Sequence, residues 1–332
     1  MPDTGNGVAN PVAPTLSVRA LRLPENQTGV PGVAEMVGGL TLVQNRLNAQ
    51  LLQTNFSAVM DEATLRANLL QPNPPSIYAV RWQGHQCFCA WRAGELLGLI
   101  DVGAGFVGEH LLLPDDAPLG FLRFLVLPER PEQMEDVVEA LLSAAERFWR
   151  QQHVGHIVAF DASTGYPQFQ AGLGALPGGW DTHMRVLTQA GFQLTDRFYA
   201  LRRPLDQPLE ELIPVGQLSL VMRGKPADRH YQIYRQVDQI GRARVRELTV
   251  AEGQHTVRIA NLLDLYIDAE WRGQNIGKWL LRRVLNDALL QGFHQVLVHV
   301  PHRAFILQNL LTQHGFQEQN YRGYTLEKAL TR

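Results

Sequence analysis

Two stretches of this chain are nearly the same sentence. Leu187-Thr-Gln-Ala-Gly191-Phe-Gln193 recurs as Leu311-Thr-Gln-His-Gly315-Phe-Gln317, and each is followed by a similar strand. Those strands are Tyr199-Ala-Leu-Arg-Arg-Pro-Leu205 and Tyr324-Thr-Leu-Glu-Lys-Ala-Leu330; the glycines stand 124 residues apart and the tyrosines 125 apart. Matched signals at one spacing mark an internal repeat, each copy a helix end, a glycine turn and a closing strand. A length of 332 residues suits two domains. The reading divides the chain into a disordered tail (1–15), a first unit (16–206), a proline-rich linker (207–217) and a second unit (218–332).

Composition narrows the class of protein but not the activity. The chain is 45% hydrophobic and 19% charged, enough to build ordinary cores, and its formal net charge of −2 gives no reason to expect nucleic acid or acidic membranes as partners. No apolar run reaches membrane-spanning length, and the first residues lack the basic and apolar regions of a secretion signal. The two cysteines, Cys87 and Cys89, fall on one face of a strand by alternation and read as small buried hydrophobes. The cytoplasm is the expected compartment.

The chemistry concentrates in residues 265–281, LYIDAEWRGQNIGKWLL. An apolar strand enters a Gly-containing turn and an amphipathic helix follows. The first turn of a helix has N–H groups without intrahelical partners, and the helix dipole adds positive charge there, so such a turn can cradle a phosphate. Arg272 and Lys278 add cations beside it. A Walker loop is excluded, because three residues rather than four separate Gly273 from Gly277 and Trp279 follows Lys278 where a hydroxyl is needed. A Rossmann fingerprint lacks its third glycine and the continuing βαβ pattern. The segment Arg272-Gly-Gln-Asn275-Ile-Gly277 resembles the Arg/Gln-x-x-Gly-x-Gly/Ala pyrophosphate loop of the GNAT superfamily of acyl-CoA-dependent N-acetyltransferases. Asn275 stands where that family usually has its first loop glycine; asparagine tolerates left-handed backbone angles better than most residues. The repeated Gly-Phe ending is also similar to that family's, and the fold it implies is α/β, a mixed sheet flanked by helices, in tandem GNAT-like domains.

The halves have diverged in opposite ways. Where the first half should place its phosphate loop, residues 128–136 offer no glycine and carry Glu132, Glu135 and Asp136. Those acids are expected to cap the following helix (137–150) and to repel a pyrophosphate. The second half is short at its beginning: residues 218–267 have room only for strands, at 218–223, 230–237, 243–250 and 257–267, with turns at 223–228 and 239–241. The two helices that usually wall the family's acceptor site are missing, whereas residues 30–70 of the first half are helical in pattern. The second half's acceptor pocket is then either unusually open or completed by the first half.

The resemblance implies an N-acetyltransferase that moves an acetyl or other acyl group from acyl-CoA to an amine of a small molecule or peptide by direct attack, without a metal. Cofactor contacts would come from the main chains of Leu265, Tyr266 and Ile267 and from the loop Arg272, Gly273, Gln274, Asn275, Ile276, Gly277 and Lys278. The tyrosine acid that the family often places four residues before the Gly of Gly-Phe is Leu187 in one half and Leu311 in the other. Candidates for proton transfer are therefore Asp264 (a base, or a structural carboxylate), His299 at the end of strand 295–300 (a base, or a core histidine) and Tyr321, with Tyr324 as a further phenol. His302 and Arg303 either contact the nucleotide end of the cofactor or begin the helix 304–314. A different class of reading is an acyl-CoA-binding sensor or interaction module that transfers nothing; a third is a scaffold in which neither half binds nucleotide. The expected state is a monomer, paired internally as a pseudo-dimer, or a homodimer.

Overall fold

A computed structural model describes residues 15–22, 33–108, 117–214, 216–252 and 255–330. The tail expected at 1–15 lies outside these residues except for its last position.

The first half runs β1 (Ser17–Ala20), α1 (Val33–Leu51), α2 (Glu62–Leu69), β2 (Val80–Arg92), β3 (Glu95–Val107), β4 (Leu119–Val126), α3 (Met134–Gln151), β5 (His156–Ala159), β6 (Leu176–Pro177), α4 (Asp181–Gln189) and β7 (Gln193–Pro204). The second runs β8 (Leu218–Lys225), β9 (Asp228–Arg235), β10 (Asp238–Glu252), β11 (His255–Ile267), α5 (Ile276–Leu290), β12 (Gln295–Pro301), α6 (Phe305–Gln313) and β13 (Gln317–Ala329). Local chemistry accounts for many of the boundaries. Ala93 and Gly94, both at positive φ, make the two-residue turn between β2 and β3. Asp61 caps α2 by accepting from the Thr64 N–H at 2.8 Å. Helix α3 lays Val137, Leu141, Ala145 and Trp149 on the sheet at the i, i+4 spacing of a buried helical stripe. Cys87 and Cys89 are buried in β2, as alternation requires.

Two local expectations need correction. The acids of 128–136 do not cap α3: the N-cap is Gln133, which makes no side-chain cap, and Asp136 in the first turn accepts from the Val137 N–H and ion-pairs with Arg92. The turn expected at 239–241 lies at Gln236-Val237, with Gln236 at φ 56°, while Ile240 is an extra residue inside β10. A bulge and a turn draw on similar residues, and a lone glycine does not tell them apart.

All the main strands join one sheet, in the order β1-β2-β3-β4-β5-β13-β7-β12-β11-β10-β9-β8, with β6 on the flank of β13. The two closing strands are exchanged. β7 belongs to the first half but lies two places from β5, and β13 of the second half fills the gap, its Leu326 opposite Ala159. β13 in turn lies two places from β12, and β7 fills that gap, its Leu201 opposite Val298. Each half therefore lacks one strand that only the other supplies. The connector 207–217 is strapped to α5: Asn286 accepts from the Leu209 N–H at 2.7 Å and donates to Leu209 O at 2.8 Å, and Arg282 donates to Glu210 O at 3.0 Å.

Each half has its own core, and a third cluster lies between them. Ile77, Ala171, Leu173 and Ala175 of the first half pack there against Leu248, Ile259, Leu297 and Tyr321 of the second.

Candidate active site

Strands β11 and β12 are parallel and pair only through Ala260–Val296 and Asn261–Leu297. Beyond Asn261 they part, leaving one edge of β11 unpaired up to Ile267. On the other edge, Arg244 faces Asp264 and Val245 faces Leu262, so Leu263 is an extra residue at a bulge. The same fork exists in the first half, where β4 and β5 pair from Leu119–His156 to Leu122–Ala159. There it is plugged. Phe124 stacks on Tyr166 with ring centroids 5.3 Å apart and meets Phe169 and Trp180 edge-on. Beside this aromatic plug a buried ion network closes the space. Asp101 accepts from Arg123 Nη1 (3.1 Å) and Tyr166 Oη (2.6 Å) and lies 2.6 Å from His85 Nε2. Arg123 also donates to the carbonyls of Asn68, Pro75 and Thr164. Burial pushes the Asp101 carboxyl up, but His85 and Arg123 outweigh it and hold it below the usual range.

The open fork leads to the loop after β11. A single 3-10 turn (Ala269–Trp271) precedes it. Gly273 has φ 78° with open space where a Cβ would stand, and Asn275 takes the left-handed conformation (φ 62°) at the N-cap of α5. Asn275 makes no side-chain cap and no acid lies in the first turn, whereas the first turn of α3 carries Glu135 and Asp136. Arg272 donates to Ile267 O at 2.9 Å and lies over the Tyr266 ring, and Gln274 donates to Glu270 O at 3.3 Å. Ile276 is buried and anchors the helix start, Lys278 is exposed, and a Cβ on Gly277 would only touch Ile267 at 3.5 Å.

A cleft of about 820 Å³ lies at the open fork and is lined by both halves. The first half supplies Ile77–Ala79, Ala162, Ser163 and Ala171–Leu173; the second supplies β9–β12 residues including His230, Arg242, Arg244, Asn261, Asp264 and His299. Three hydrogen bonds tie the walls together: Tyr78 Oη to Leu263 O (2.9 Å), Arg244 Nη1 to Ile77 O (3.1 Å) and Asn261 Nδ2 to Ala171 O (2.9 Å). The first half thus forms part of the wall of this cleft. Burial, with Asp264 adding, pushes the Tyr78 phenol up to about 12, which keeps it a donor to the bulge carbonyl.

Asp264 and His299 both line this cleft; Tyr321 lies behind it. Asp264 is ion-paired, its Oδ2 2.6 Å from Arg242 Nε. His299 meets the Tyr321 ring edge-on at 5.7 Å, and burial lowers its imidazole to about 3. The Tyr321 hydroxyl donates to Gln170 Oε1 of the first half, and burial holds its pKa far above the ordinary phenol value; the phenol is spent on the interface. Tyr324 carries Arg197 over its ring, His302 pairs with Asp196 at 3.3 Å, and Arg303 donates to Thr195 O. Leu265, Tyr266 and Ile267 continue the free edge of β11 toward the loop before α5. Sequence reasoning missed Tyr78, Leu263, Asn261, Arg242 and Arg244. Only Asn261 left a trace, as a lone amide within the apolar run Ile259-Ala-Asn-Leu-Leu263.

The buried histidines give the molecule an acid-sensitive edge. His183, packed on Trp180, is lowered by burial to about 4, and His299 to about 3. As pH falls below the ordinary value of about 6.5, the unfolded chain takes up these protons first, so stability is complete above that pH and declines beneath it. Each histidine contributes a slope of about 1.4 kcal/mol per pH unit until its folded pKa is reached. Melting temperatures should be level from pH 8 to 7 and drop steadily from 6.5 to 5; a flat profile through pH 5 would contradict the burial.

Comparison with known proteins agrees with this architecture. Residues 195–316 match the family model described as "Acetyltransferase (GNAT) family". No curated protein matches the sequence. A tandem GNAT protein from the clavulanic acid biosynthesis pathway superposes with a TM-score of 0.64 at 14% identity, covering 96% of this chain and 99% of that one. A GCN5-related N-acetyltransferase from Sphaerobacter thermophilus superposes with a TM-score of 0.56 at 11% identity, covering 95% of each. A glucosamine N-acetyltransferase region of a fungal multi-domain beta-N-acetylglucosaminidase reaches 0.64 at 11% identity, covering 96% of this chain and 38% of that one. Residues 195–316 are thus similar to the GNAT acetyltransferase family, and the chain as a whole has the fold of tandem GNAT proteins.

Proposed function

We propose that the chain is an acyl-CoA-dependent N-acetyltransferase whose second half binds the cofactor and whose two halves together hold the amine. The observation that carries this reading is the contrast between the two forks: one plugged by Phe124, Tyr166 and Arg123, the other open and ending at an acid-free helix start. Acetyl-CoA is the co-substrate, its pyrophosphate over Arg272–Lys278 and its pantetheine arm along the free edge of β11. A thioester carbonyl gains negative charge as an amine attacks, and backbone N–H groups fixed at a bulge can stabilise it without reorganising. Tyr78 and Arg242 act on the supporting chain, the one holding the Leu263 carbonyl and the other the Asp264 carboxylate. Direct attack by the amine asks for no metal. The pairing of β7 with β13 makes the chain its own pseudo-dimer; a monomer or homodimer acting in the cytoplasm on a small-molecule or peptide amine fits this reading, with the units divided at 206 and 218.

Calorimetric titration with acetyl-CoA tests it. One site per chain is expected, lost in Gly277→Glu, whose carboxylate would meet the pyrophosphate with like-charge repulsion at the helix start. The added side chain meets open space apart from Ile267, so the variant should melt within a few degrees of the parent. Absence of binding to the parent chain would sink the proposal, and two sites would mean that the first fork opens. A second reading, a sensor that binds acyl-CoA and transfers nothing, draws on the engagement of Asp264 with Arg242 and of Tyr321 with Gln170; tight binding without turnover of any amine would favour it.

A further inference from the structure

Two polar atoms at the fork have no hydrogen-bond partner among the described residues: Asn261 Oδ1 and His299 Nε2, both shielded from solvent. They belong to neighbouring parallel strands at the point where those strands part, and both residues line the cleft. The Asn261 amide is oriented by its own bond, since Nδ2 must face the Ala171 carbonyl, which leaves the oxygen as the free end. A buried acceptor without a donor is costly, on the order of 1–3 kcal/mol, and points to a ligand that completes it.

We infer that Asn261 Oδ1 and His299 Nε2 form the seat of the attacking nitrogen, and that it takes an uncharged amine of low basicity, such as an α-amino group, in preference to an alkylammonium such as a lysine side chain. The inference rests on the transferase reading. Its chemistry follows from what surrounds the seat. The titratable groups lining the cleft beside His299 are Tyr78, His230, Tyr231, Arg242, Arg244 and Asp264, with Tyr321 behind His299 and the Tyr231 hydroxyl turned to Asp287. The carboxylates nearby are engaged: Asp264 with Arg242, and Asp228 with Arg244 through two contacts of 2.7 and 2.8 Å and with His230 at 3.5 Å. Asp161, behind Tyr78, accepts from the Ser163 N–H and hydroxyl. Among the described residues that line the cleft, no carboxylate is left to hold an ammonium. Burial alone lowers the imidazole of His299, with no charged group contributing, so it stays uncharged across the working range and does not serve as the base that strips an ammonium. The amine must arrive already deprotonated. At pH 7 roughly one in ten α-amino groups is in that form, against roughly one in 2,500 lysine side chains. In the step itself the amine nitrogen bonds to the acyl carbon, the C–S bond breaks, and the surplus proton passes from nitrogen to the departing thiolate, directly or through solvent.

The test is the pH dependence of kcat/KM for the full chain with saturating acetyl-CoA, read as thiol release. The acceptors are glycinamide and Nα-acetyl-lysine amide. Glycinamide should be preferred at least tenfold at pH 7, after allowance for the greater nucleophilicity of the more basic amine. The rate for the lysine compound should climb about tenfold per pH unit from 7 to 9, while that for glycinamide levels off above about pH 8. Asn261→Leu, which removes the free acceptor, should raise KM for glycinamide and leave acetyl-CoA binding unchanged by calorimetry. Turnover that favours lysine, or a lysine rate indifferent to pH, would overturn the inference and leave the transferase reading intact. Binding of acetyl-CoA with no turnover of either amine would overturn both.

Discussion

Severed within the connector 207–217, the chain should give two fragments, neither of which folds alone. Residues 1–206 would carry β5 and β7 with an empty place between them, and residues 217–332 would carry β12 and β13 in the same condition. Filling each gap takes a strand of the other fragment, aligned along Leu326–Ala159 on one side and Val298–Leu201 on the other. An open gap leaves two rows of unpaired N–H and C=O groups and uncovers core residues on both faces, including Leu326 and Leu201. Expressed singly, the fragments should be insoluble or should lack a cooperative melt; expressed together, they should copurify one to one and bind acetyl-CoA. Two soluble, folded, monomeric fragments would refute the exchange.

The second large effect is expected far from the open fork. Arg123→Ala should cost about 3–5 kcal/mol, because it leaves Asp101 as a buried charge beside His85 and frees the carbonyls of Asn68, Pro75 and Thr164. For a domain of this size that is a fall in melting temperature on the order of 10 °C. Pairing the change with Asp101→Asn should recover part of the loss, since the stranded charge goes with it. A drop near 1 kcal/mol would mean that the network tolerates water. The loops that Arg123 pins lead into Ile77, Tyr78 and Ser163, which wall the cleft, so a stable variant at this site should also bind the amine more weakly.

The repeat, the glycine turn between β11 and α5 and the all-strand start of the second half were legible because each is written in neighbouring residues: a glycine after a helix, a glycine turn between an apolar strand and an amphipathic helix, alternating polarity. Strand partners are not written that way. Nothing in Tyr199–Leu205 distinguishes β5 from β12 as a neighbour, since both offer a short apolar edge and pairing is settled by packing over more than a hundred residues of chain. The same reason hid Tyr78. It sits in an irregular stretch, Pro74-Pro-Ser-Ile-Tyr78, with no periodicity to interpret, and its role exists only because the first half is folded against β11. Asp264 and His299 could be placed on neighbouring strands, but their partners, Arg242 for one and the Tyr321 ring for the other, follow from tertiary contacts.

The exchange of closing strands also sets a timetable for biosynthesis. A ribosome releases β5 long before it makes β13, and at about 5–20 residues per second the interval is on the order of ten to thirty seconds. Throughout that time the nascent first half has an unfinished border, open to any passing strand. The border is short, four residues from His156 to Ala159, and a brief edge is a poor template for mispairing. The thirteen-residue strand β13, made long after the rest of the first half, is thus the one that closes it, so a chain stopped before β13 would lose the domain made first.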